Sequence, residues 1–555
     1  MYTPLFLPAD NPPFNMARYC IAGAAAATPG KPALIVVADP SAAHPSEIWT
    51  YADLEDAVLR TAGALRALGL APGDRVMIRL DNTSAYAVLF FGAIAAGLVA
   101  LPASSQLTDR EALFLLEDSG SAALASASPP PLWGRAREGG TPERQPSGFP
   151  PPLTPPHEGE GKRPLLLSPD DVTRMMREGP RIDYAPTLAE HPAFLIYTSG
   201  TTAYPKGVLH AQRAALGRRP MYQGWYGITA EDRVLHAGAF NWTFTLGVGL
   251  SDPWANGATA LIYVGEKEPA LWPRLIARTE ATLFAGVPSL MRQILKYANF
   301  AAGAMPTLRH ALIAGETPPP GLFEEWTART SRPLYEALGM SEISTYISTG
   351  PDVPRKPGTV GKAQPGRRVA ILPVDGSDAP LPPDTDGLIA VHCSDPGLML
   401  GYWNRAAEQD EVLRGDWFAG GDLGRMDADG YIAHLGRNNE IIKALGYRVS
   451  PMEVEAVLAT HPAVAEVACA EIAVRPDVHV VGAFVVLKPG SPPDSAGILA
   501  FAHERLAAYK CPREIRFLDH LPRTANGKVR RASLAPSSPD SVRLLTATRA
   551  HGPRR

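Results

Sequence analysis

Cysteine is scarce: Cys20, Cys393, Cys469 and Cys511 are the only four in 555 residues. They lie far apart, with neither metal-ligand nor redox spacing. No disulfide framework or zinc site is expected, and a reducing, cytoplasmic setting fits best. Excess basic charge is also missing. The net charge of −3 removes the general attraction to nucleic acid or anionic membrane. Met1 to Asn15 contains Asp10 and several prolines in place of a basic region and an apolar core, so it does not read as a signal peptide. Long uncharged runs are rare. The exception, Ala85 to Leu107, could span a bilayer by length, but it is rich in Ala and Gly and ends in the strand-like Val99-Ala-Leu-Pro-Ala103. A buried helix followed by a buried strand is expected there, not a transmembrane segment.

What is present has the apolar content of a soluble globular protein, and its length allows about three to four domain-sized units. Residues 33–130 alternate strand-like and helix-like runs. Ala33-Leu-Ile-Val-Val37 and Arg75-Val-Met-Ile-Arg-Leu80 read as strands. Between them lies a helix for which Thr50 and Asp53 supply a capping box, with Leu54, Val58, Leu59, Ala62, Leu65 and Leu68 at helical spacing. A helix over Asp109–Asp118 and a strand over Ala122–Ala125 follow. Further strands are expected at 258–263, 281–284 and 309–314, with a helix at 288–296 and a turn at Gly315-Glu316. Such alternation predicts an α/β fold with mainly parallel, helix-flanked sheets. From Gly358 to Val391, short strands separated by Gly and Pro predict a small β-subdomain.

Two tracts stand apart. From Ser128 to about Pro164, Pro, Gly, Glu and Arg dominate and no apolar period survives, so a disordered insertion is expected over 128–164. The polar, basic tail 535–555 is expected to be disordered as well. A hinge near Gly436 would divide a large domain, 1–436, from a mobile α+β domain, 437–534, of about one hundred residues.

The chemistry concentrates at Leu195-Ile-Tyr-Thr-Ser-Gly-Thr-Thr-Ala-Tyr-Pro-Lys-Gly-Val208. An apolar strand runs into Thr198, Ser199, Thr201 and Thr202, whose hydroxyls can donate to an anion. Gly200 lets the backbone approach, and Lys206 brings positive charge. The pattern suits phosphate but is not a Walker A loop, because Pro205 precedes the lysine and Gly207 follows it.

This loop opens an ordered series that resembles the adenylate-forming (AMP-binding) superfamily, in its acyl-CoA synthetase branch, from about Trp49 to Leu534. Tyr197–Gly207 is similar to the family's phosphate loop, with Ala203 where Gly is usual. Ala337-Leu-Gly-Met-Ser-Glu342 is similar to its Tyr-Gly-x-Thr-Glu element, with Leu338 in place of the aromatic residue. The resemblance implies that Gly339, Met340 and Ser341 contact nucleotide and that Glu342 binds Mg2+. Gly420-Gly-Asp-Leu-Gly424 resembles the Thr-Gly-Asp element, implying that Asp422 accepts from the ribose hydroxyls. Leu435–Glu455 is similar to the domain-junction motif. There Arg437 would reach ATP, Asn439 would be the hinge and Gly446 would let the pantetheine arm of CoA pass. Leu521-Pro-Arg-Thr-Ala-Asn-Gly-Lys-Val-Arg530 is similar to the last motif, implying Lys528 as the catalytic lysine.

The implied activity is ATP-dependent joining of a small-molecule carboxylic acid to CoA through an acyl-AMP, with Lys528, Glu342 and Thr202 as catalytic groups. Its cofactors are ATP, Mg2+ and coenzyme A. No nucleic-acid partner is expected, and a homodimer is compatible with the resemblance. An adenylation enzyme that loads a separate carrier protein would share every ATP motif, and a degenerate nucleotide-binding protein would keep several. The acid pocket is expected around Phe240, Asn241, Trp242, Gly286 and Gly315. Asn241 stands where peptide-synthetase relatives carry Asp for an amino group. The expected acid is therefore aryl or of short-to-medium chain, not an α-amino acid.

Overall fold

The structure is a computed structural model and describes residues 12–42, 44–128, 164–198, 205–438, 442–444, 447–475, 478–508, 510–523 and 529–534. The tail 535–555 and nearly all of the tract 128–164 lie outside the described residues.

Two large sheets carry the fold. One has seven strands. From one edge they are Gly401–Tyr402, Lys206–Ala211, Pro192–Thr198, Val99–Pro102, Arg75–Arg79, Ala123–Ser126 and Leu165–Leu167. The last five of these run parallel, and the first two pair antiparallel at their edge. The other sheet has nine strands. Its centre, from Pro32–Val37 through Thr259–Tyr263, Arg233–His236, Leu283–Gly286 and His310–Ala314 to Leu334–Met340, is parallel. Antiparallel strands close both its edges.

The segment 85–107 owes its lack of charge to its place between these sheets. Its helix, Ser84–Ala95, is buried at every residue but Ala85. The surrounding core joins Leu34, Val36 and Ile262 of one sheet to Val76, Ile78 and Ala100 of the other, with Phe90 and Phe91 between them. A helix covered on all sides needs no polar face, and each buried Phe contributes about 1.5–3 kcal/mol. The helix Tyr51–Ala67 begins with the expected capping box of Thr50 and Asp53. Its expected core residue Leu68 instead ends the helix and is 45% exposed. The strand expected at 281–284 occupies Leu283–Gly286; just before it, the Thr282 hydroxyl donates to Asp232 (2.6 Å) and accepts from Arg233 N–H (2.9 Å).

The β-subdomain is larger than expected. Lys362–Ala363 joins the nine-stranded sheet, and a separate six-stranded antiparallel sheet extends from Val369 to Arg437. Beyond it, a hairpin (Ile442–Ala444 with Tyr447–Val449) and a three-stranded sheet (Val464–Arg475, Val478–Leu487, Glu514–Phe517) pack on the helices Pro451–Leu458 and Ser495–His503 around their own core. Among the described residues no helix is long and apolar enough to cross a membrane.

Candidate active site

A cleft of about 3380 Å³ runs between the large sheets, the antiparallel sheet and the C-terminal sheet. One end is charged. Thr198 and Lys206 face each other as the last pair of an antiparallel ladder, so the strands on either side of residues 199–205 are held side by side. Ser199, Gly200, Thr201, Thr202 and Ala203 lie outside the described residues, as do Asn439, Gly446 and Lys528. Lys206 lines the cleft and pairs with Glu408, its ammonium 5.4 Å from the centre of the Tyr402 ring.

The Tyr402 hydroxyl donates to Glu342 Oε1 at 2.8 Å. Burial, with the Glu342 charge beside it, raises the Tyr402 phenol so far that it stays protonated and remains a donor. Glu342 follows the strand Leu334–Met340, and its backbone is tied on both sides. His210 Nε2 donates to Ser341 O at 2.8 Å, and Met399 N–H donates to Glu342 O at 2.8 Å. His210 is stacked on Phe194 at 4.6 Å, and burial lowers it to about 4, so the imidazole is neutral near pH 7.

Asp422, 3% exposed, opens the strand Asp422–Met426 directly opposite Arg437. Its Oδ1 receives Arg437 Nε at 3.0 Å and His434 Nε2 at 3.1 Å. Arg437 also donates from Nη1 to Gly420 O at 3.1 Å, so in this structure its guanidinium is turned onto the Gly-Gly-Asp turn. Gly420 has a local cause as well. A Cβ there would come within 2.6 Å of Met340 Sδ, so Met340 of one motif occupies the space that a larger residue in the other would need. Leu338, Gly339, Met340 and Ser341 all line the cleft.

The other end is aromatic. Asn241, Trp242, Thr243 and Phe244 line it, with Gly315 nearby. Phe244 is braced from behind by Trp225 (5.8 Å, 25° between planes) and by the edge of His236 (4.5 Å, 77°). Burial lowers His236 to about 3, leaving it neutral, and its Nδ1 accepts Gly238 N–H at 2.8 Å. Two expected pocket residues are corrected. Phe240 is 3% exposed and packs on Tyr86 at 5.4 Å, in the core behind the wall. Gly286 ends the buried strand Leu283–Gly286 and does not reach the cleft.

Sequence reasoning missed Tyr402, Glu408, His434 and Glu336. Tyr402 lies in the strand Gly401–Tyr402 and Glu408 in the helix Ala406–Val412 beyond it, and Gly-Tyr-Trp carries no chemical pattern. Glu336 lines the cleft, and burial pushes its carboxyl up to about 8.

Residues 21–403 match the AMP-binding enzyme family, and residues 453–528 match the AMP-binding enzyme C-terminal domain. The chain belongs to the AMP-binding enzyme family. This AMP-binding enzyme is 29% identical over 541 residues to a 3-hydroxybenzoate–CoA ligase of Aromatoleum sp. (strain CIB), covering 94% of this chain and 98% of that relative. It is 30% identical to a benzoate–CoA ligase of Thauera aromatica, covering 88% of this chain and 90% of that relative. Among solved structures it is similar to the anthranilate CoA ligase AuaEII in complex with anthranoyl-AMP, with a TM-score of 0.81 and 25% identity, covering 95% of this chain and 98% of that one.

Proposed function

We propose that this AMP-binding enzyme is an ATP-dependent carboxylate–CoA ligase that acts on an aromatic acid through an acyl-AMP. One observation carries the reading: a single cleft joins a charged end, with Lys206, Glu342 and Asp422, to an uncharged wall of Trp242, Thr243 and Phe244. Relatives of nearly the same length, named for hydroxybenzoate and benzoate, support the same class of acid.

In the first half-reaction the carboxylate oxygen attacks the α-phosphorus of ATP, and the bond to pyrophosphate breaks. The barrier is largely electrostatic, since an anion meets a polyanion. Thr198, Ser199, Gly200, Thr201 and Thr202 surround the phosphates with donors, and Lys206 steadies the leaving pyrophosphate. Asp422 accepts from the ribose hydroxyls, and Arg437 orients Asp422. Gly339, Met340 and Ser341 form the nucleotide wall. Lys528, carried on the mobile domain 437–534, stabilises the charge building at the α-phosphate.

The residues present suit Mg2+. Tyr402 takes one oxygen of Glu342, and a cation that binds through one or two carboxylates and the substrate's phosphates needs little more. When bound it supplies further positive charge to the phosphates. In the second half-reaction the CoA thiol attacks the acyl carbon and AMP leaves. Rotation about Asn439 withdraws Lys528 and brings Gly446 to the thiol channel, and a closed cleft protects the acyl-AMP from water. Four free cysteines, three of them buried, fit a cytoplasmic setting.

The test is a pyrophosphate-release screen of benzoate, hydroxybenzoates and 2-aminobenzoate, with acetate and an α-amino acid as controls, run with and without CoA. Release with aromatic acids and CoA-dependent thioester formation are expected. Thioester formation only on a carrier protein overturns the CoA assignment. No release with any acid leaves a degenerate nucleotide-binding protein.

A further inference from the structure

The wall residues Asn241 to Phe244 follow a loop that has little ladder of its own. After the strand Arg233–His236, Ala237 N–H still pairs with Ala285 O at 2.9 Å. Beyond that point Gly238 and Phe240 are held by side chains. Asn82 Nδ2 donates to Gly238 O at 2.7 Å, and Asn82 Oδ1 accepts from Phe240 N–H at 3.0 Å. A carbonyl at one residue and an N–H two residues on is the pattern a neighbouring strand would satisfy. The primary amide is an uncharged side chain with a donor and an acceptor side by side, so it can take that strand's place.

Asn82 belongs to the other large sheet. It lies between the strand Arg75–Arg79 and the helix Ser84–Ala95, so its two hydrogen bonds fasten the loop of one sheet to the other. Lys267, after the strand Thr259–Tyr263, adds a second hold. Its Nζ donates to Ala237 O at 2.9 Å and to Gly238 O at 3.3 Å. Phe240 is anchored in the core on Tyr86, a residue of the same helix that follows Asn82. Gly238 permits the close fit, since a Cβ there would lie 2.3 Å from Thr245 Oγ1.

We propose that Asn82 and Lys267 are positioning residues for acid specificity, holding the 237–240 backbone so that Trp242, Thr243 and Phe244 present a fixed wall to an aromatic carboxylate. Neither side chain touches the acid. They act through the loop, and the ATP end of the cleft does not depend on them. The inference rests on the function proposed above.

The test compares Asn82→Ala, Lys267→Met and the double variant with wild type, using the aromatic acid that wild type turns over best. Circular dichroism and a thermal melt check folding. Asn82→Ala should raise the acid KM about ten-fold, the effect of losing two hydrogen bonds that order a loop. Lys267→Met should raise it about three-fold, because Asn82 still holds Gly238 O. The double variant should exceed the product of the two, since each single variant leaves one donor on that carbonyl. KM for ATP should stay within about two-fold throughout.

An unchanged acid KM in the folded double variant overturns the clamp. So does a parallel rise in both KM values, which marks a merely structural role. Lys267 is exposed, so its variant remains informative if Asn82→Ala folds poorly. The substrate class stands or falls on the wild-type screen, whereas the clamp stands or falls on the ratio of variant to wild type.

Discussion

The two ends of the cleft solve opposite problems. At the nucleotide end, charges are fixed and each already has an internal partner: Lys206 with Glu408, Glu342 with Tyr402, Asp422 with Arg437 and His434. A polyanionic ligand entering there trades one set of ionic contacts for another, so the groups need no rearrangement from a solvated state. At the acid end the wall side chains Trp242, Thr243 and Phe244 carry no charge, and the Lys267 ammonium is spent on the backbone carbonyls of Ala237 and Gly238. The nearby imidazole of His236 is kept neutral by burial, and aromatic surfaces braced from behind define the shape. Under the proposed function, electrostatics is concentrated where phosphate would react, and packing shapes the wall that would choose the acid.

That division can be broken by experiment. The largest effect is expected from Lys528→Ala, which should lower adenylation by about 10²–10³-fold. Thioester formation from supplied acyl-AMP should change by less than about ten-fold. Equal losses in both, measured by pyrophosphate release and by thioester yield, would contradict its role. Next, Asp422→Ala should raise KM for ATP about thirty-fold, because it removes a buried acceptor and leaves Arg437 and His434 without it. KM for the acid should not follow.

Phe244→Ala should do the reverse, raising KM for the acid about ten-fold through one lost aromatic surface. If either variant moves both constants together, the ends are not separate.

The smallest effect concerns Glu336. Its folded pKa of about 8 lies above the ordinary 4.5. Between those values the folded protein keeps a proton that the unfolded chain has lost, so stability falls as pH rises toward about 8. Glu336→Gln should therefore match wild type at about pH 5 and melt about 3 °C higher at pH 8, read from paired thermal scans.

The same division governs what could be read in the sequence. The nucleotide end is written in short motifs, so Lys206, Glu342, Asp422 and Arg437 could be named from their neighbours in the chain, and the structure brings all four to one cleft. The parallel architecture was legible too, because buried strands and capped helices leave periodic traces. The acid end is written in packing. Phe240 and Trp242 look alike in sequence, yet one is sealed against Tyr86 and the other faces the cleft. The Phe240 N–H is bonded by Asn82, 158 positions away in the chain, a contact that no local pattern announces. Tyr402 was invisible for a similar reason: only the pairing of Gly401–Tyr402 with Val208 and Leu209 places it between Lys206 and Glu342.

One register has an engineering consequence. Ala123, Leu124 and Ala125 pair in parallel with Leu165, Leu166 and Leu167. A chain leaving one strand of a parallel pair must travel back along the sheet before entering the other, which takes about a dozen residues. Some connection of that length is thus required between the two strands. Joining Ser128 to Pro164 directly would strip the edge strand from the seven-stranded sheet, whereas a plain Gly/Ser bridge of about fifteen residues would leave it in place. The minimum length of the tract 128–164 is set by the parallel register of the two strands it joins.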